Sequence, residues 1–102
     1  MAIAEFSITP IGMGASVGEH VARAVDLVDR SGLAYRVNPM GTVVEGPLDD
    51  VVAVIVRCHK AVAADCERVS TIIKIDDRKG ARAQIDTKVE GIERRLGRRL
   101  RT

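Results

Sequence analysis

The chain has 102 residues, enough for one domain with a modest core and too few for two. Hydrophobic residues make up 46% of it, which excludes disorder by composition. With one Phe, one Tyr and no Trp, the core must be aliphatic. The 16 basic and 14 acidic residues leave a formal charge of +2, too balanced to point to nucleic acid by itself.

Residues 2–9 alternate, with Ala4, Phe6 and Ile8 on one side and Glu5, Ser7 and Thr9 on the other; period two predicts a half-buried strand. The opening MAIAEFSITP has no basic leader and reads as that strand rather than as a signal peptide, and no apolar run reaches membrane-spanning length. A cytoplasmic chain with Cys58 and Cys66 as free thiols is the expectation. Pro10, Gly12 and Gly14 are expected to end the strand. Ser16 and Glu19 have the spacing of a capping box, and Val17, Val21, Ala24, Val25 and Val28 give the helix behind it an apolar stripe that Gly32 closes.

Residues 33–38 and 42–45 read as two strands, and the short Pro39-Met40-Gly41 link makes them antiparallel neighbours. Pro47, Asp49 and Asp50 suit the start of a second helix running to Ala64, with Leu48, Val51, Val52, Ile55, His59 and Val62 on one side. Residues 68–76 form a fourth strand. Residues 84–100 form a C-terminal helix with Ile85, Val89, Ile92 and Leu96 along one face. The order predicts an α+β fold over residues 1–102, a ferredoxin-like βαββαβ sandwich with an extra C-terminal helix.

Two helices cover one face of such a sheet. The other face is expected to carry Glu5, Ser7, Arg36, Asn38, Ile72 and Lys74, a mixture of charge and aliphatics that suits a subunit interface on so small a domain. RNA-recognition domains of this layout need aromatic residues on that face; here Phe6 points to the helices and TVVE has none, so no nucleic-acid partner is expected, and no membrane.

Four stretches together resemble the thiamine-binding protein family: AEFSITPIG at 4–12, SGLAYRVNPMGTVVEG at 31–46, HKAV at 59–62 and STIIKIDDR at 70–78. The resemblance implies the same βαββαβ fold, a homotetramer built as a dimer of dimers, and binding of thiamine or its aminopyrimidine moiety near subunit contacts. It implies no other cofactor.

Glu5 and Ser7, two apart on one strand face, offer acceptors and a donor suited to an amino-substituted ring or a cation. Asn38 and Thr42 flank the hairpin at the PMGT segment, beside a flexible Met40. Lys74 is expected to offset Glu5 or to meet an anionic group. Other clusters point to simpler roles. Gly12, Gly14 and Ser16 form a strand-to-helix loop that matches no phosphate-binding motif. Asp76 and Asp77, adjacent on a strand, point to opposite faces and chelate poorly. Cys58, His59 and Cys66 lack zinc spacing. The bunched C-terminal arginines, Arg94, Arg95, Arg98, Arg99 and Arg101, read as a solvated helix face, with an anionic partner at that tail as the alternative. With no nucleophile–base pair and no metal set, the chain is expected to bind without catalysing. The competing expectation is a structural or regulatory oligomerisation module with no small-molecule ligand.

Overall fold

The computed structural model describes residues 1–14 and 17–102, so the expected Ser16 cap lies outside the described residues. The elements run β1 (Ala2–Ile11), α1 (Gly18–Arg30), β2 (Ala34–Asn38), β3 (Gly41–Gly46), α2 (Leu48–Ala63), β4 (Arg68–Asp77) and α3 (Gln84–Leu96). The strands form one antiparallel sheet in the order β2-β3-β1-β4, with β1 and β3 inside. This is the ferredoxin-like arrangement with an added C-terminal helix.

Alternation along β1 buries Ala2, Ala4 and Phe6 on the helix side, where Ala4 and Phe6 join Val44 of β3, Ala24 and Val28 of α1, and Val51, Val54, Ile55, Cys58 and Val62 of α2 in one core cluster. Each Val or Ile fully withdrawn from water there contributes about 1.5–3 kcal/mol. The buried stripe of α2 is rotated from the expected one. Leu48 and Val52 are exposed, Val52 at 37%, while Val54 and Cys58 are buried instead. Both readings satisfy a helical period, because α2 is valine-rich on several sides; the direction of the sheet decides between them. Likewise Val21 of α1 is exposed at 42%, and Ala24 and Val28 carry the contact.

Two boundaries differ from expectation for a plain physical reason. β1 runs through Pro10 to Ile11, because beyond Phe6 it has only β4 as a neighbour and a proline is tolerated on a strand with one open side. The last helix stops at Leu96, not residue 100, because Gly97 at φ 71° ends it in the left-handed region that glycine adopts freely. Thr42 faces the helices opposite Phe6 and Val37, and is buried.

Cross-strand pairing sets Glu5 against Lys74 and Val43, Ser7 against Ile72, and Val43 against Arg36, so these share the face away from α1 and α2. That face is not wholly open. The N-terminal end of α3 packs over its β2–β3 half. There Glu45 accepts the backbone N–H groups of Gln84 and Ile85 and Arg36 donates to Asp86 at 2.7 Å, while Lys88 reaches across to Asp76 of β4 at 2.7 Å. No helix among the described residues is long and apolar enough to cross a membrane.

Candidate ligand site

β1 pairs with β4 along its whole length but with β3 only from Ala2 to Phe6. The two-residue turn at Pro39 and Met40 brings β3 in late, at Gly41, so the second half of β1 lacks a strand on that side. The gap is a notch with a cavity of about 290 Å³. Phe6 to Thr9 form its back, Val21 and Val25 of α1 one wall, and the hairpin from Val37 to Thr42 the other. Because the notch opens onto the side of β1, it touches residues of both sheet faces. Ser7 and Asn38 reach it from one and Thr42 from the other.

Three of the five candidate residues therefore meet in one cavity: Ser7, Asn38 and Thr42. Glu5 and Lys74 lie outside it, side by side on the neighbouring sheet face, and among the described residues no ion pair joins them. Glu5 nevertheless reaches the rim. A Cβ placed on Gly41 would stand 3.3 Å from Glu5 Cγ and 3.1 Å from the Phe6 carbonyl oxygen, so the carboxylate side chain lies across Gly41, which lines the cavity. Any side chain at 41 would crowd both atoms, and glycine avoids that.

Of the apolar walls, Met40 was singled out for the site from sequence, and Val21, Val25 and Val37 were not. Val21, Val37 and Met40 stay exposed, Met40 at 90%, around a cavity whose polar groups are hydroxyls and an amide. A signal was available in α1: Val21 continues the apolar stripe past the point where the sheet has a strand to cover it.

Four other chemistry-bearing side chains are occupied. Burial pushes the Cys58 thiol up to about 11, and its Sγ donates to the Ala24 carbonyl at 3.3 Å. His59 Nδ1 lies 2.6 Å from Thr71 Oγ1, bonding α2 to β4. His20 Nδ1 lies 3.2 Å from Arg23, which pairs with Asp65 at 2.6 Å. Tyr35 donates to Asp29 at 2.6 Å, and that carboxylate raises the phenol's pKa. Among the described residues no group of three His, Cys, Asp or Glu stands ready to hold a metal ion.

Residues 4–93 match the family model described as thiamine-binding protein. The chain is 45% identical to a UPF0045 protein of Mycobacterium bovis over 92 residues, covering 89% of this chain and 90% of that one. It is 39% identical to a UPF0045 protein of Methanocaldococcus jannaschii over 90 residues, 88% of this chain and 90% of that one. A crystal structure of the M. jannaschii protein superposes with a TM-score of 0.84 at 38% identity, covering 89% of this chain and 94% of that one. A Thermotoga maritima protein provisionally assigned to thiamine biosynthesis or salvage shares the fold, with a TM-score of 0.78 at 21% identity over 89% of this chain and 97% of that one. The chain belongs to the thiamine-binding protein family.

Proposed function

We propose that this member of the family binds thiamine or its aminopyrimidine moiety in the notch between β1, α1 and the β2–β3 hairpin, as a homo-oligomer and without chemical change to the ligand. The observation that carries the reading is the meeting of Ser7, Asn38 and Thr42 in one apolar-walled cavity. An aminopyrimidine presents ring nitrogens that accept and an exocyclic amine that donates. Two hydroxyls and a carboxamide supply both complements. The thiazolium is cationic, and Glu5 at the Gly41 rim is the carboxylate placed to oppose it. Lys74 lies beside Glu5 and tempers that charge.

At about 290 Å³ the cavity sits at the lower end of ligand pockets, which run roughly 300–1,000 Å³. Its open side and the exposed Met40 are consistent with a second subunit completing the wall. Assembly has separate support in β4, a ten-residue edge strand carrying exposed Ile72, Ile73 and Ile75. That feature also favours the second reading, a structural or regulatory oligomerisation module with no small ligand.

Calorimetry with thiamine and with the free aminopyrimidine separates the two. Saturable binding that Asn38→Ala or Thr42→Val weakens about three- to tenfold supports the notch. No heat with either compound, from a protein that is oligomeric by light scattering, supports the module instead.

A further inference from the structure

A second cleft lies at the other end of β1. It runs between the loop joining β4 to α3 and the flank of α3, with a volume of about 580 Å³. Six cationic side chains line it: Arg78, Lys79, Arg82, Lys88, Arg94 and Arg95. No carboxylate does among the described residues. The chain as a whole carries only +2, so this concentration is local. Of the six, Lys88 is engaged by Asp76, and Arg95 Nη1 donates to the Gly91 carbonyl of its own helix at 3.3 Å. The α3 arginines converge: a Cβ on Gly91 would stand 3.6 Å from Arg95 Nη1 and 3.9 Å from Arg94 Nη2, so both guanidiniums hang over the same turn of α3.

An independent observation lies among the lining residues. Gln84, which lines this cleft and also the neighbouring pocket that Ile3 and Val43 line, is 4% exposed, and its side-chain nitrogen is buried with no hydrogen-bond partner among the described residues. A buried donor left unpaired costs about 1–3 kcal/mol, so such a group calls for an acceptor. Thr87 adds a hydroxyl to the same lining.

We propose that this cleft is a binding site for a small phosphorylated anion of the pyrophosphate class, held by the arginine forks of Arg78, Arg82, Arg94 and Arg95 and by the side-chain amide of Gln84. Guanidinium groups pair bidentately with phosphate oxygens, and several of them match an anion carrying three or four charges. A nucleic-acid backbone is the less suited occupant, because neither Phe6 nor Tyr35 lines the cleft to stack a base. The site is distinct from the notch. The cleft begins beyond Asp77, which pairs with Ala2, and Ala2 is separated from Ser7 by about 17 Å of extended strand.

The test is titration calorimetry of the full chain with inorganic pyrophosphate, inorganic phosphate, ADP as a diphosphate ester, and a single-stranded oligonucleotide. Pyrophosphate binds at one site per chain, and Arg94→Ala with Arg95→Ala weakens it by about ten- to a hundredfold or more. Arg98→Ala with Arg99→Ala removes the same charge outside the cleft and leaves the affinity within about twofold. Gln84→Leu, neutral and similar in size, weakens binding about tenfold with an unchanged melting temperature. A bare positive surface would not register that change. ADP binding as tightly as pyrophosphate assigns the site to diphosphate esters; pyrophosphate binding tighter assigns it to the free anion. Absence of saturable binding at millimolar pyrophosphate overturns the proposal. So does an equal loss in the two arginine pairs, unchanged affinity in Gln84→Leu, or an oligonucleotide that outcompetes pyrophosphate.

Discussion

The carboxylate of Glu45 accepts the backbone N–H of Gln84 at 2.8 Å, joining the end of β3 to the first turn of α3. Its second oxygen accepts from Ile85 at 3.3 Å, and the side chain is buried. A helix start leaves N–H groups without intrahelical partners and carries positive dipole charge, so one acceptor from the sheet answers both. Glu45→Ala strands two donors at a buried junction. The expected loss is about 1.5–3 kcal/mol, a melting temperature lower by roughly 10 °C, and faster amide exchange confined to α3. An unchanged melting curve would show that α3 is held by its apolar residues instead.

The register of α2 gives a paired test. Val54 is buried against the sheet and Val52 is exposed, though they stand two positions apart on a valine-rich helix. Val54→Asp places an unpaired carboxylate in the core at a cost of several kcal/mol, enough to prevent folding. Val52→Asp is expected to fold with a near-native circular dichroism spectrum. The reverse result would rotate the helix back to the sequence-derived stripe.

Period-two strands, the short hairpin link and the apolar helices were readable from residue spacing, because each is a local property; that Gly41 already belongs to β3 was not. The contact of α3 with the sheet was not, since it depends on a backbone N–H at Gln84 meeting a carboxylate 39 positions earlier. The notch was half readable. Ser7, Asn38 and Thr42 stood out as polar groups near turns. What joins them is the difference in length between β1 and β3, and no single segment encodes that difference.

The edge of β4 predicts its own partner. Two copies paired antiparallel about a two-fold axis through Ile72 keep both sheets facing the same way, and set Arg68 opposite Asp76 and Lys74 opposite Ser70. The alternative centred on Ile73 sets Arg68 opposite Arg78. Within β4 the first register pairs the opposite charges of Arg68 and Asp76, with Glu67 set against Asp77 just at its end, whereas the second pairs no charges inside the strand. Ile72 is 69% exposed, and in the first register it would meet its own copy at the axis. Ile72→Lys places like charges there and is expected to shift the oligomer toward smaller species in sedimentation velocity. Asp76→Arg should weaken assembly, and adding Arg68→Asp should restore it. Failure of that restoration would discard this register.

Cys58 and Cys66 should separate by reactivity. Burial raises the Cys58 thiol to about 11, so at pH 8 almost none is thiolate, and its Sγ sits between α1 and α2. Iodoacetamide on the native protein should label the partly exposed Cys66 first, as peptide mapping would show. The folded state favours the neutral thiol. Its contribution to stability is therefore full below the ordinary thiol pKa and is lost as pH rises through about 11. Equal labelling of both cysteines in folded protein would mean that α1 and α2 open readily.

Gly41 and Glu5 test the rim of the notch. The Glu5 side chain crosses Gly41, and any Cβ there would crowd Glu5 Cγ at 3.3 Å and the Phe6 carbonyl at 3.1 Å. The carbonyl belongs to the strand backbone and yields little, so Gly41→Ala is expected to displace the carboxylate and to lower stability modestly. Glu5→Gln keeps the shape and removes the charge. If Glu5 opposes the thiazolium, losing a charge-assisted contact weakens thiamine by about ten- to a hundredfold, while the uncharged aminopyrimidine loses far less. That difference between the two ligands isolates the electrostatic role from packing. Light scattering on the same samples guards against a second explanation, that Glu5 holds subunits together through a partner's cation. Thiamine affinity unchanged in Glu5→Gln would place the cationic ring away from Gly41 and leave recognition to Ser7, Asn38 and Thr42.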